Sequence, residues 1–294
     1  APLLVGFEVI MEVIIPILMA NLIDFGIDAG NMSYVVKMGA ALLISAFISL
    51  MFGVLAGRSA ATASAGFAKN LRRDMFHNVQ NFSFSNIDKF STASIVTRLT
   101  TDVTNVQHAY QMIIRTAMRS PAMLIFSLAA AFRIDKELSL VFLFCIPILG
   151  VGLYLIMSKA HPIFEKVFHT YDKLNNVVGE NLHGIRVVKS FVREEHEIKK
   201  FEDISDNIYK LFTKAEKLLA FNAPLMQFCM YTCMLMLSWF GARAIVASGG
   251  NPDIGLSTGE LMSLISYATQ ILFSLMMLSM VFVMITISRA SAER

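Results

Sequence analysis

The sequence predicts an all-α membrane protein with six long spans and two helical hairpins that project from the bilayer. Three observations carry this reading. Of 294 residues, 55% are hydrophobic and only 16% charged, with a mean hydropathy of +0.60, whereas soluble domains average about 25% charged. The apolar residues are also segregated: charge-free runs cover 38–57, 138–158, 218–242 and 261–288, each as long as the roughly 20 residues that cross a bilayer. Finally, helical periodicity continues well past the apolar runs.

The first span, about 2–25, is interrupted by Glu8, Glu12 and Asp24. It is too long for a signal peptide, no basic segment leads it and no cleavage site follows it. Because the chain begins at Ala1 without a Met, a missing N-terminus is expected. The second span, about 35–58, belongs to a helix from about Tyr34 to Asn81. At 1.5 Å per residue that helix is about 70 Å long, more than twice the hydrocarbon thickness of about 30 Å. Span three, about 113–133, opens with Arg115 and Arg119. Spans four and five cover about 138–158 and 218–246, and span six, about 258–288, follows Ser257 and Glu260 at capping-box spacing.

External connections are short: 26–36, 133–137 and 247–257, the last with Gly249, Gly250 and Pro252 as turn formers. Between spans four and five, Ile163, Val167, Tyr171, Leu174, Val178 and Leu182 recur three or four residues apart. Beyond residue 190, Ile198, Phe201, Ile208 and Leu211 continue the rhythm. That is an amphipathic helix rather than a globular insertion. Each hairpin is expected to turn through a polar tip, at 90–99 and at 179–191.

Of the 25 Lys and Arg residues, 21 fall in 58–119, 159–217 and 289–294. This asymmetry places those segments, and both termini, in the cytoplasm. A net charge of +3 beside so much apolar surface indicates a lipid bilayer as partner and no nucleic acid. The six histidines are scattered without an H-x-x-x-H pair, and Cys145, Cys229 and Cys233 form no C-x-x-C. No metal site or disulfide is expected.

Charges inside a span are costly and mark either pairing or function. Glu8 and Glu12 share a helix face, as do Arg115 and Arg119. Counted from the outer ends of their spans at Asp24 and Arg133, Glu12 and Arg119 lie at roughly 18 and 21 Å. The four residues are therefore either intramembrane ion pairs, or the glutamates attract a cationic ligand. Asn222, Gln227, Tyr267 and Gln270 either bond across helices or line a substrate path. Met276, Met277, Met280 and Met284 either pack or give a promiscuous apolar cavity a flexible surface. Pro16, Pro121, Pro147 and Pro224 are either hinges or prolines that membrane helices tolerate. The candidate cavity set is Glu8, Glu12, Gln227, Tyr267, Gln270 and Met277.

Four segments carry a resemblance: LeuArgArgAspMetPhe (71–76), IleValThrArgLeuThrThrAspVal (95–103), GluAsnLeuHisGlyIleArgValValLysSerPhe (180–191) and ArgGluGlu (193–195). In order, and with six spans, they resemble the transmembrane domain of an ATP-binding cassette (ABC) exporter. The stretch from Pro16 through LeuIleAspPheGlyIleAsp (22–28) is most similar to one half of bacterial heterodimeric multidrug exporters. SerArgAlaSerAlaGluArg at the C-terminus resembles the link to a nucleotide-binding domain. The resemblance implies the bacterial plasma membrane, a second half-transporter, and spans four and five swapped into that partner. It also implies nucleotide-binding domains holding ATP and Mg, and a hydrophobic or cationic small-molecule substrate. The tips would couple to those domains through Ser94, Ile95 and Val96 and through Gly184, Ile185, Arg186 and Val187, with Gly184 allowing a tight turn.

No G-x-x-x-x-G-K-S/T loop and no LSGGQ-like signature occurs; Ser248, Gly249 and Gly250 fall in an external connection. This chain by itself is expected to have no cofactor or catalytic residue, and the ATPase part either continues beyond it or is a separate polypeptide. Two other classes stand beside the exporter. A secondary transporter driven through Glu8 or Glu12 would favour inverted repeats and helices broken at mid-membrane, and neither is evident. A non-transporting scaffold would explain the projections but not the tip motifs.

Overall fold

The computed structural model describes residues 1–82, 92–247 and 255–292, and every regular element among them is helical. Six stretches are long and apolar enough to cross a membrane: Pro2–Ile27, Met32–Gln80, Ser94–Ile134, Lys136–Ser190, Glu194–Ala247 and Thr258–Ile285. The protein is a multi-pass membrane protein of all-α class.

Local chemistry explains where the helices start and stop. Helix α1 (Pro2–Leu22) begins with Pro2 in its first turn, where an N–H would have no helical acceptor. It runs into a π-helical turn, Ile23–Ile27. The chain then reverses at Gly30, whose φ of +66° is a left-handed conformation that a Cβ disfavours. The Asn31 side chain accepts from the Tyr34 N–H at 3.2 Å, which caps α2 (Met32–Gln80). Helix α2 has 49 residues, roughly 70 Å of helix.

The third rod is built of α3 (Thr92–Thr97), a π-turn (Arg98–Asp102), α4 (Val103–Met112), a second π-turn (Ile113–Ala117) and α5 (Met118–Ile134). Asp135 is extended, and its Oδ1 accepts from the Leu138 N–H at 2.8 Å. This starts the 55-residue α6 (Lys136–Ser190). Helices α7 (Glu194–Leu219), α8 (Asn222–Ala247) and α9 (Thr258–Ala292) follow. Pro224 sits in the first turn of α8, where it removes no helical bond.

The chain divides into two compact units, one of residues 1–147 with 229–294 and one of 148–228. In the first, α1, α2, α4, α5 and α9 pack together. Its core includes Val5, Val9 and Val13 of α1 and Leu264, Tyr267, Ile271 and Leu272 of α9. The buried face of α2 is Ala56, Ala60, Ser64 and Ala68, one per turn, a small-residue stripe that lets helices approach closely in lipid. The three cysteines are buried and free.

The second unit is an antiparallel pairing of α6 with α7 and the start of α8. Gly152 faces Leu225, Phe164 meets the Phe212 ring edge-on at 6.2 Å, and Asn181 donates to Glu197 at 3.3 Å. All these pairs are centred just ahead of Phe191–Arg193, so that segment is the hairpin apex. The expected turn at Gly184 is not there: α6 continues through Ser190. A lone glycine costs a helix only about 1 kcal/mol, less than the contacts flanking it provide. The chain reverses instead through a helix-end motif in which Val192 N–H bonds to Lys189 O at 3.3 Å and Arg193 N–H to Val188 O at 3.0 Å. Residues 90 and 91 of the first expected tip, and 248–254 of the last external connection, lie outside the described residues. The remainder of that tip, 92–99, begins the third rod.

Candidate functional site

Two places concentrate polar chemistry or unsatisfied surface. The first lies within the spans. Glu8 and Glu12, one turn apart on α1, converge on one guanidinium: Arg119 Nη1 donates to Glu8 Oε1 at 2.7 Å, and Nη2 to Glu12 Oε1 at 2.7 Å and Oε2 at 2.8 Å. Glu8 is only 6% exposed, and its Oε2 is buried without a hydrogen-bond partner. Room for the cluster comes from Gly53 and Gly57 on α2. A Cβ on Gly53 would stand 3.1 Å from Glu8 Oε1, and one on Gly57 would stand 3.3 Å from Arg115 Nη1. Arg115, in the π-turn Ile113–Ala117, is half-buried and makes no ion pair or hydrogen bond with the described residues. The structure therefore joins Glu8 and Glu12 to Arg119 and leaves Arg115 alone beside them.

The seam between α1 and α9 is closed by hydrogen bonds to the backbone of α1. Pro16 has no N–H, so the carbonyl of Glu12 loses its helical donor; Gln270 Nε2 approaches it at 3.4 Å. Gln270 Oε1 in turn accepts from Ser127 of α5 at 3.0 Å. The next carbonyl, Val13, accepts from the buried Tyr267 hydroxyl at 2.6 Å, and Ser263 donates to Pro16 O at 2.6 Å. At the far end, Asp24 accepts from the Ser257 hydroxyl at 2.6 Å and the Gly259 N–H at 2.8 Å. Ser257 and Glu260 form the reciprocal capping box, each side chain accepting from the other's backbone N–H at 3.0 Å. Tyr267 and Gln270 thus bond across helices. Met277 is half-buried farther along α9, and Gln227, in the other unit, is exposed.

The segments that carried the resemblance hold the extended ends together. Arg72 donates through Nε to Leu99 O at 3.3 Å and through Nη2 to Thr104 Oγ1 at 3.1 Å, and Phe67 stacks on Tyr110 at 4.8 Å. Asn105 of α4 donates to Ser291 of α9 at 3.1 Å. Ser94, Ile95 and Val96 stand on α3, where Ile95 borders a cavity of about 140 Å³ with Met75, Val79 and Phe82 of the α2 end and Arg98.

At the α6–α7 apex the surface is apolar and outward-facing. Val187, Phe191 and Val192 are 60%, 74% and 82% exposed, and Leu182 and Ile185 are exposed as well. Val192 has φ +49°, a left-handed conformation that costs a β-branched residue roughly 1–2 kcal/mol. Glu194 opens α7; a hydrogen bond to its own backbone N–H, then Lys189 at 3.2 Å, hold its carboxyl below the usual range. The expected tip, 179–191, ends at Phe191; sequence reasoning missed Val192, because no Gly or Pro marks the turn. It also missed Gly53 and Gly57, although G-V-L-A-G is a small-x-x-x-small pattern.

Six membrane-length helices, two of them prolonged into an antiparallel hairpin, define a polytopic membrane domain. The chain belongs to the ABC transporter transmembrane region family, whose model matches residues 3–276. An uncharacterized ABC transporter ATP-binding protein of Bacillus subtilis, YfiB, is 30% identical over 98% of this chain and 49% of its own length. A counterpart in Mycobacterium tuberculosis, also uncharacterized, is 27% identical over 95% of this chain and 47% of its own. An ATP-dependent lipid A-core flippase of Desulfotalea psychrophila is 22% identical over 63% of this chain and 32% of its own. The chain spans about half the length of the curated relatives it matches.

Proposed function

We propose that this chain is the substrate-translocating part of an ATP-driven exporter, in which nucleotide-binding domains holding ATP and Mg push on the hairpin ends and the long helices carry that displacement to a pathway with alternating access. The observation that carries the reading is the apex: exposed apolar residues on a backbone turn that Val192 strains, an arrangement with no benefit to this chain alone. A side chain held in an unfavourable conformation at a surface points to function, and an apolar knob flanked by Arg186 and Lys189 suits a groove in a partner protein. The membership of an ABC family with ATP-binding relatives supports an ATPase as that partner. Neither the ion-gradient nor the scaffold alternative receives comparable support.

In this reading both termini and the hairpins are cytoplasmic and the membrane is the plasma membrane. A second half-transporter, identical or different, completes the pathway and receives spans four and five. Since Glu8 and Glu12 are clamped by Arg119, a hydrophobic or amphipathic substrate fits better than a cation held by these carboxylates; multidrug efflux and lipid export both belong to that class. The test is Ile185→Asp in the reconstituted complete transporter. Substrate-stimulated ATP hydrolysis and transport fall about tenfold or more while ATP binding and membrane insertion persist. Stimulation equal to that of the unmodified protein would overturn the coupling role of the apex.

A further inference from the structure

The intramembrane cluster has two carboxylates and two guanidiniums, yet its pairing is uneven. Arg119 serves both Glu8 and Glu12, while among the described residues Glu8 Oε2 is buried without a partner and Arg115 makes no ion pair or hydrogen bond. Leaving an acceptor and a guanidinium unpaired in a span is costly. A displacement of α1 against the third rod of less than one helical turn of roughly 5.4 Å would remove both deficits, because Glu8 precedes Glu12 by one turn just as Arg115 precedes Arg119, so that Glu8 can reach Arg115 in the register that already pairs Glu12 with Arg119. Glu8 would then pair with Arg115, and Glu12 would keep Arg119 to itself.

Two further features make that path available. Gly53 and Gly57 lie one turn apart on α2, the first against the Glu8 carboxylate and the second against Arg115, so α2 itself places no side chain at either position. Arg115 lies within a π-helical turn between α4 and α5, a rare geometry that often marks functional adjustment in helices.

We propose that Glu8 exchanges between Arg119 and Arg115 along the Gly53–Gly57 track as the transporter changes state, and that the observed register is one of two. Helix shifts of roughly 1–2 Å at packed interfaces are a known way of converting small displacements into discrete states. The inference rests on the alternating-access reading above.

The experiment places spin labels at the exposed positions Leu3→Cys on α1 and Met118→Cys on α5 in the complete transporter in lipid nanodiscs, with distances measured without nucleotide and with ATP and vanadate. The unmodified background shows two distances whose populations ATP shifts. Arg115→Gln lowers the population of the second register about tenfold, and Arg119→Gln, or Arg119→Lys should the former not fold, raises it. Adding Glu8→Gln to Arg115→Gln causes little further change. A distance indifferent to ATP would overturn the exchange, and the alternating-access reading would fall with it only if ATP also failed to drive transport by the same protein. An ATP-dependent shift indifferent to Arg115→Gln would overturn the exchange alone, as would an Arg115→Gln effect confined to the KM of the transported compound, which would make Arg115 a ligand contact.

Discussion

The α1–α9 seam and the α6–α7 apex follow opposite rules. Along the seam, even the carbonyl that Pro16 leaves without a helical donor is met by Gln270, and the start of α9 is held by Asp24 as well as by its own capping box. At the apex, large apolar side chains face outward and a valine occupies a glycine-like backbone. The seam is complete within this chain, as lipid demands of buried polar groups; the apex lacks a partner. Stability should therefore depend on the first and activity on the second.

The largest expected effect comes from the ion-pair cluster that ties α1 to α5 beside the seam. Arg119→Ala leaves two carboxylates facing each other in a span, and loss of one partner from a buried ion pair costs about 3 kcal/mol or more. Thermal unfolding in detergent should show a pronounced fall in Tm, while Ile185→Asp leaves Tm within error. Equal Tm for both variants would end the contrast.

A sharper comparison uses one substitution at two glycines. In Gly259→Ala the new Cβ meets the Ala20 backbone and Asp24 Oδ1, so α1 and α9 must separate, at about 1–3 kcal/mol. Gly184→Ala meets nothing within 4 Å in the middle of a helix and should stabilise by up to about 1 kcal/mol. Opposite signs in Tm are the expected result.

The smallest effect is electrostatic and local. Glu194 is held below its ordinary value in the folded protein, so its contribution is complete above the unfolded value, near 4.5, and is lost as pH falls through the lower folded one. Amide exchange in the first turn of α7 should lose protection over that acidic range, and Glu194→Gln should remove the pH dependence without affecting α9.

How much of this was legible in the sequence varied with the range of the interaction. The all-helical class with six membrane-length helices, the long α2 and the Ser257–Glu260 cap are written in periodicity and spacing, which are local. Depth arithmetic could bring Glu12 level with Arg119, but no spacing rule says that one arginine serves two carboxylates while Arg115 stands apart; that depends on the register of α1 against α5. The apex was misplaced for a different reason. Gly184 carries a turn signal that helix continuity overrides, whereas the actual reversal at Val192 is imposed against its residue's preference. The partners of Gln270 and Tyr267 were equally hidden, since they answer a backbone defect in another helix.

The most direct test of the central claim is the accessibility of the apex. Val187→Cys and Phe191→Cys, in a background free of the three native cysteines, are treated with a water-soluble maleimide in the isolated chain and in the complete transporter. Rapid labelling of the isolated chain, with at least tenfold slower labelling once the nucleotide-binding domains are present, is the predicted result. Equal labelling rates in the two preparations would contradict it, because the apex would then be a solvent-facing turn in the assembled transporter too.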